Sequence, residues 1–192
     1  QFGKLEFKTS ALGFGAMRLP TLPKTGEIDE PLAISMIRTA IDHGVNYIDT
    51  AAPYHKGMSE VLVGKALENG YRDRVYVATK FPPWRLKQPS DFDAILGEQL
   101  SKLRTDHVDM YLMHALGKNW QKLLDMGVRE VMDNYKASGR VRLMGFSFHD
   151  DIETFKFIVD SYDWDFCQIQ LNYLDEAFQA GIEGMKYAAA KG

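Results

Sequence analysis

The sequence predicts an α/β fold, a TIM-type (β/α)8 barrel that is incomplete over these residues, and three observations carry that reading. Short apolar runs recur at a steady interval. Segments with helical periodicity lie between them. Reactive side chains stand at the ends of several different runs rather than in one glycine-rich turn.

The runs are Leu12–Met17, Val45–Thr50, Val75–Lys80, Val108–His114, Val141–Ser147 and Phe166–Tyr173. Taken at positions 17, 49, 80, 114 and 147, the ends of the first five keep a beat of 31 to 34 residues. A strand, a crossover helix and two loops need roughly thirty residues. Continuous β-branched and aromatic runs suit parallel strands covered by helices.

The segments between the runs read as helices in turn. Asp29-Glu30-Pro31 is a start signal, and Ile34, Ile37 and Ile41 share one face before Gly44. Ser90 is expected to cap a helix whose apolar face is Phe92, Ile95, Leu96, Leu100 and Leu103. Val128, Val131, Met132 and Tyr135 repeat the pattern before Gly139. Ile152, Phe155 and Val159 do so again, and the last such segment runs from Ile182 to Ala190.

A doubly wound open sheet is the competing architecture. It would place a G-x-G-x-x-G turn directly after the first strand, and Leu12-Gly13-Phe14-Gly15-Ala16 lacks that spacing. The barrel is therefore expected, as one domain over 1–192. Eight units typically need ~250 residues, and 192 hold six strands. The expectation is a barrel cut after its sixth strand and helix, with its first and sixth strands exposed as edges. Self-association or a missing companion segment would cover them.

Composition narrows the function classes. A net charge of −3 without a polybasic run gives no footprint for nucleic acid or a membrane surface. No apolar stretch reaches the roughly eighteen residues of a membrane span, and the N-terminus lacks a signal-peptide core. Cys167 is the only cysteine, so neither an internal disulfide nor a cysteine-rich metal site fits. A cytoplasmic setting is the simplest reading.

Asp49, Lys80 and His114 end three successive runs, and Tyr54 follows Asp49 in the next loop. Singly, each has an ordinary explanation: a turn cap, a rim lysine, a core histidine, a packed aromatic. Jointly they do not. Neighbouring parallel strands lie roughly 5 Å apart, so their ends converge on one mouth. A buried lysine there needs a carboxylate, which Asp49 supplies. A lysine cation beside a phenol stabilises phenolate, which tunes Tyr54 for proton transfer. His114 could donate to an oxygen on which negative charge develops. The set suits delivery of a proton to a carbonyl oxygen while hydride reaches the carbon.

With these residues in hand, the chain resembles the aldo-keto reductase family over nearly all its length. Leu12-Gly13-Phe14-Gly15-Ala16-Met17 is similar to the family's first strand, and Phe2 to Phe7 to its small N-terminal β-hairpin. Asp49-Thr50-Ala51 with Tyr54 matches its D-T-A…Y motif. Gly57-Met58-Ser59-Glu60, then Gly64 and Ala66-Leu67, matches the helix behind it. Thr79-Lys80 and Leu112-Met113-His114 match the two further strands of its tetrad.

The resemblance implies NAD(P)H-dependent reduction of an aldehyde or ketone, a small-molecule carbonyl substrate and no metal. Tyr54 is implied as the acid, Lys80 and Asp49 as its tuning pair, and His114 as the substrate-orienting group. Gly145-Phe146-Ser147 resembles the family's G-x-S-N stretch, which implies Ser147 and Gln168 as holders of the nicotinamide carboxamide. Asn172 takes the polar position four residues on, and Met17 one that lines the nicotinamide pocket. Phe148 departs from the pattern, replacing the usual Asn, with His149 next to it. NADP(H) is the cofactor expected from the family, with NAD(H) the alternative. The stretches Gly13–Pro20 and Gly145–Asp150 resemble a subset with a C-terminal ferredoxin-like domain, where an iron–sulfur cluster would belong to residues beyond these.

Two rival readings are distinct in chemistry. A metal-dependent hydrolase barrel would use Asp49, His114, His149 and His55 as ligands, although Lys80 would put a cation beside the metal. A reductase-like barrel that binds or regulates without turnover is the other. Trp84 and Trp120, each in a loop after a tetrad strand, either line a substrate pocket or only pack those loops.

Overall fold

The computed structural model describes residues 3, 5 and 7–192. Phe2, Lys4 and Glu6 of the expected hairpin lie outside the described residues. The chain then runs β1 (Phe14–Gly15), α1 (Glu30–Asp42), β2 (Tyr47–Asp49), α2 (Ser59–Ala66), β3 (Tyr76–Phe81), α3 (Asp91–Leu103) and β4 (Val108–Leu116). It continues through α4 (Trp120–Asp125), α5 (Val128–Ala137), β5 (Val141–Phe148), α6 (Ile152–Asp160), β6 (Phe166–Ile169) and α7 (Gly181–Lys191). Six strands form one parallel sheet in sequence order, a curled part of a barrel. Strand then helix then neighbouring strand is the arrangement expected of the six runs.

The pleat sorts every strand into two faces. On the concave side Ala78, Met110, Leu112 and Leu143 form a small cluster, joined by Tyr47 and Phe166. On the other side Ile48, Val77, Tyr111, Met113, Met144 and Phe146 pack against the helices in the main core. Gly145 is glycine because of this interior: a Cβ there would stand 2.6 Å from the Phe166 ring on the adjoining strand.

Local chemistry starts and stops the helices. The Asp29 side chain accepts from the Leu32 amide, Pro31 fills the first turn, and Ile37 and Ile41 are buried. Each such burial contributes roughly 1.5–3 kcal/mol. At α3 the structure corrects the expectation. Ser90 stands at the cap position but its side chain makes no capping hydrogen bond. The Asp91 carboxylate reaches back instead to the Lys87 and Gln88 amides of the preceding loop, charge-assisted bonds that fix how the chain enters the helix. Two further differences matter. β1 ends at Gly15, so Met17 lies in a 3-10 turn (Ala16–Arg18) rather than a strand. Two helices, α4 and α5, fill the interval where one was expected.

Candidate active site

Asp49, Lys80, His114, Ser147 and Gln168 share the pleat parity of the inward cluster, at the C-terminal ends of five consecutive strands. Register places Asp49 opposite Ala78, Lys80 opposite Leu112, and Ser147 opposite Gln168. In parallel barrels this is the end where chemistry gathers.

Lys80 is 2% exposed, and its ammonium is fully engaged. It donates to Asp49 Oδ1 at 2.6 Å, to the Thr50 carbonyl at 2.9 Å and to the Tyr54 hydroxyl at 3.4 Å. The last contact is long for a hydrogen bond, as catalytic contacts often are before substrate binds. Burial raises the Asp49 carboxyl above its ordinary range, while the charge and hydrogen bond of Lys80 pull it back. Asp49 Oδ2 is buried without a partner among the described residues.

The His114 ring meets the Tyr54 ring edge-on with centroids 6.0 Å apart. Burial, then Lys80, then His149, push its pKa down to about 4, so it is neutral near pH 7. A neutral imidazole carries one N–H. Nδ1 is buried without a partner among the described residues, which leaves Nε2 as the nitrogen suited to donate.

A β-bulge follows at once. The β4–β5 register shifts between Met113 and Leu116, and Ala115 adopts φ 48°. Bulges beside active sites re-aim side chains, and the positive φ stores strain on the order of 1–3 kcal/mol. Ser147 Oγ secures the bulge by accepting from the Ala115 amide at 2.8 Å. Its own hydroxyl proton remains free to donate. Neither the bulge nor this bond has a sequence signal, since Ala115 is not a residue that favours positive φ.

A cavity of about 100 Å³ at the mouth is lined by Tyr54, Lys80, His114, Ser147, His149 and Gln168, together with Ile169 and Gln170. Trp84, 58% exposed, lies 5.2 Å from the His114 ring. Trp120 is buried instead, donating to Ser161 Oγ and meeting Trp164 at a tilt with centroids 5.3 Å apart. The two loop tryptophans therefore divide between mouth and core. Phe148 turns to the helix layer against Phe155, and His149 takes a place in the mouth.

Two expected site residues stand apart from that cavity. Met17 is exposed on its turn after β1. The Asn172 side chain is occupied by its own loop, accepting from the Leu174 and Asp175 amides and donating to Asp175. The set proposed for a metal is likewise dispersed. Asp49 is bound to Lys80, His55 Nε2 accepts from the Leu19 amide at 2.9 Å, and no three His, Cys, Asp or Glu residues converge among the described residues.

The family model for the aldo/keto reductase family matches residues 11–192. The chain belongs to that family. It is similar to the aldo-keto reductase YhdN of Bacillus subtilis, 37% identical over 132 residues, which cover 64% of this chain and 38% of that one. It is 26% identical to an NADH-specific methylglyoxal reductase of Escherichia coli, over 92% of this chain and 60% of the relative. Among solved structures, an aldo-keto reductase from Klebsiella pneumoniae in complex with NADPH superposes with a TM-score of 0.69 at 31% identity, covering 86% of this chain and 55% of the other. The chain thus spans roughly two-fifths to three-fifths of these relatives' lengths.

Proposed function

We propose that the mouth of this sheet reduces carbonyl compounds with a nicotinamide cofactor, Tyr54 acting as the acid. The observation that carries the reading is the Lys80 ammonium, held 2.6 Å from Asp49 and 3.4 Å from the Tyr54 hydroxyl. A cation fixed there lowers the energy of the phenolate that remains once the proton has gone to the carbonyl oxygen. Asp49 and the Thr50 carbonyl keep Lys80 from moving. Neutral His114 donates to the same carbonyl oxygen, which orients it and disperses its growing charge.

The fit of a nicotinamide rests on two groups. A carboxamide needs an acceptor and a donor, and Ser147 with its free hydroxyl proton pairs in register with the amide of Gln168. A bound reduced nicotinamide supplies the hydride. The mouth cavity is well below the ~300 Å³ of a complete small-molecule site, so most of a dinucleotide lies outside it. Met17 and Asn172 are assigned to the flanks of the cofactor path rather than to the reacting atoms.

Relatives bearing NADH and NADPH in their names support either cofactor, and a small 2-oxoaldehyde such as methylglyoxal is the first substrate to try. A cytoplasmic setting goes with this reading, in keeping with a single cysteine; no helix among the described residues is long and apolar enough to cross a membrane. We infer also that β1 and β6, the outermost strands of the sheet among the described residues, are covered by a second copy or a companion segment. Light scattering that returned a clean monomer, with cooperative unfolding, would remove the self-association reading.

The test of the function is fluorescence titration with NADPH and NADH, followed by turnover of methylglyoxal. Tyr54→Phe is expected to leave cofactor affinity intact and lower turnover by about 10²–10⁴-fold. Full turnover by Tyr54→Phe would sink the assignment of the acid.

A further inference from the structure

Tyr54 rides on a segment that is not held by its own backbone preferences. His55, Lys56 and Gly57 follow it with φ of 49°, 56° and 89°, three consecutive residues in the left-handed region, two of them carrying a Cβ. Such a run persists only where the surroundings fix it. Two side-chain clamps do so, and both reach the same place, the 3-10 turn after β1.

The first clamp is buried. Ser59 Oγ donates to the Ala16 carbonyl at 2.9 Å and therefore accepts from Thr50 Oγ1 at 2.8 Å. The second is the imidazole next to the acid itself. His55 Nε2 accepts from the Leu19 amide at 2.9 Å, across 36 positions of sequence. The bonds fall on either side of Met17 and Arg18, so the turn is stapled to the Tyr54 segment at both ends. Ser59 fixes the far end of the segment, and only His55 lies beside Tyr54.

We propose that His55 is a positioning residue, whose neutral imidazole holds Tyr54 in reach of Lys80 by anchoring the strained segment to the Leu19 amide. The proposal rests on the reading of Tyr54 as the acid, but its structural half does not need turnover. A left-handed segment released from its anchor relaxes toward ordinary φ, and the phenol it carries leaves the Lys80 ammonium. The His55→Gln variant offers an amide oxygen at nearly the reach of Nε2, whereas alanine and methionine offer no comparable acceptor.

The test uses three variants, His55→Ala, His55→Gln and His55→Met, the last serving if alanine prevents folding. Amide exchange at Leu19 and the ring resonances of Tyr54 are read by NMR. Without an acceptor, Leu19 exchange is expected to quicken at least on the order of tenfold, and the Tyr54 ring signals to move; His55→Gln restores both. In turnover, kcat falls on the order of ten- to a hundredfold with cofactor affinity unchanged, again restored by glutamine. Unmoved Tyr54 signals in the acceptor-free variants would overturn the proposal, as would a glutamine variant no better than methionine. Full activity of Tyr54→Phe would instead strike the functional reading, leaving the Leu19 and Tyr54 signals to judge the anchor by themselves.

Discussion

Each end of the sheet buries an aspartate beside a cation, at Asp49 near the C-terminal ends of the strands and at Asp109 near the N-terminal ends. Asp109 has both oxygens engaged. Its Oδ2 accepts from the Val77 amide and pairs with Arg72, both at 2.9 Å, and its Oδ1 faces Arg142 at 3.2 Å. Asp49 has one oxygen on Lys80 and the other without a partner among the described residues. A carboxylate with both oxygens engaged stabilises a fold, and one with an oxygen unengaged has capacity for a reaction. The bottom of the barrel is finished; the top is kept open.

That contrast can be broken in order of expected effect. Asp109→Ala leaves the buried Val77 amide and the mostly buried Arg72 without their carboxylate, and urea unfolding is expected to report a loss of about 3 kcal/mol, with the family chemistry failing only because the fold fails. Equal stability in that variant would mean that the lower cluster is ornamental. Lys80→Met acts in the opposite sense. Turnover is expected to fall by about 10²–10⁴-fold, while most of the stability survives, because the raised Asp49 carboxyl can take up a proton once unpaired. A large collapse of stability with Lys80→Met would equate the two ends.

The pH dependence sharpens the comparison, because the two titrating groups of the mouth work against each other. Asp49 binds its proton more tightly folded than unfolded. Its contribution is therefore present below the unfolded value and is lost as pH rises through the folded one. His114 is the reverse. Its folded pKa of about 4 lies below the ordinary 6.5, so stability it lends at neutral pH is lost as pH falls through that window. Unfolding free energies measured between pH 7 and 4 should lose the His114 decline in His114→Gln and the opposing gain in Asp49→Asn. Identical slopes in both variants and the parent would show that neither group titrates as placed. The smallest effect belongs far from the mouth: Ser90→Ala should stay within about 0.5 kcal/mol of the parent, since its side chain caps nothing.

How much of this was legible follows from the kind of signal each feature leaves. Strand ends at positions 49, 80 and 114 could be read because continuous apolar runs at a steady beat, joined by parallel crossovers, bring their ends to one side of the sheet. Asp29 and Pro31 announced α1 by local chemistry alone, and the cap holds. Ser90 failed because a cap depends on how the chain enters the helix, which here the Asp91 carboxylate fixes from the preceding loop. The bulge at Ala115 and the bond from His55 to Leu19 left no trace, since each joins segments more than thirty residues apart. The buried set behind β3 left none either, although its bonds span only 12 to 39 positions. There Glu60 accepts from Thr79 and Gln99, Gln99 also donates to the Lys80 carbonyl, and Tyr111 donates to Gln99. Asn172 was placed by position in a motif, and a loop three residues long has taken its side chain.

The division of the tryptophans has an optical consequence. Trp120 is buried in the helix layer and meets the half-buried Trp164 at a tilt, whereas Trp84 leans over His114 at the mouth. Emission from this chain should therefore have two colours. The blue component comes from the buried Trp120 and reports whether the barrel wall is intact. The red component comes from Trp84 and is open to quenching by whatever enters the mouth. The protein carries its own paired reporters, one for folding and one for occupancy, separable in a single spectrum without a label.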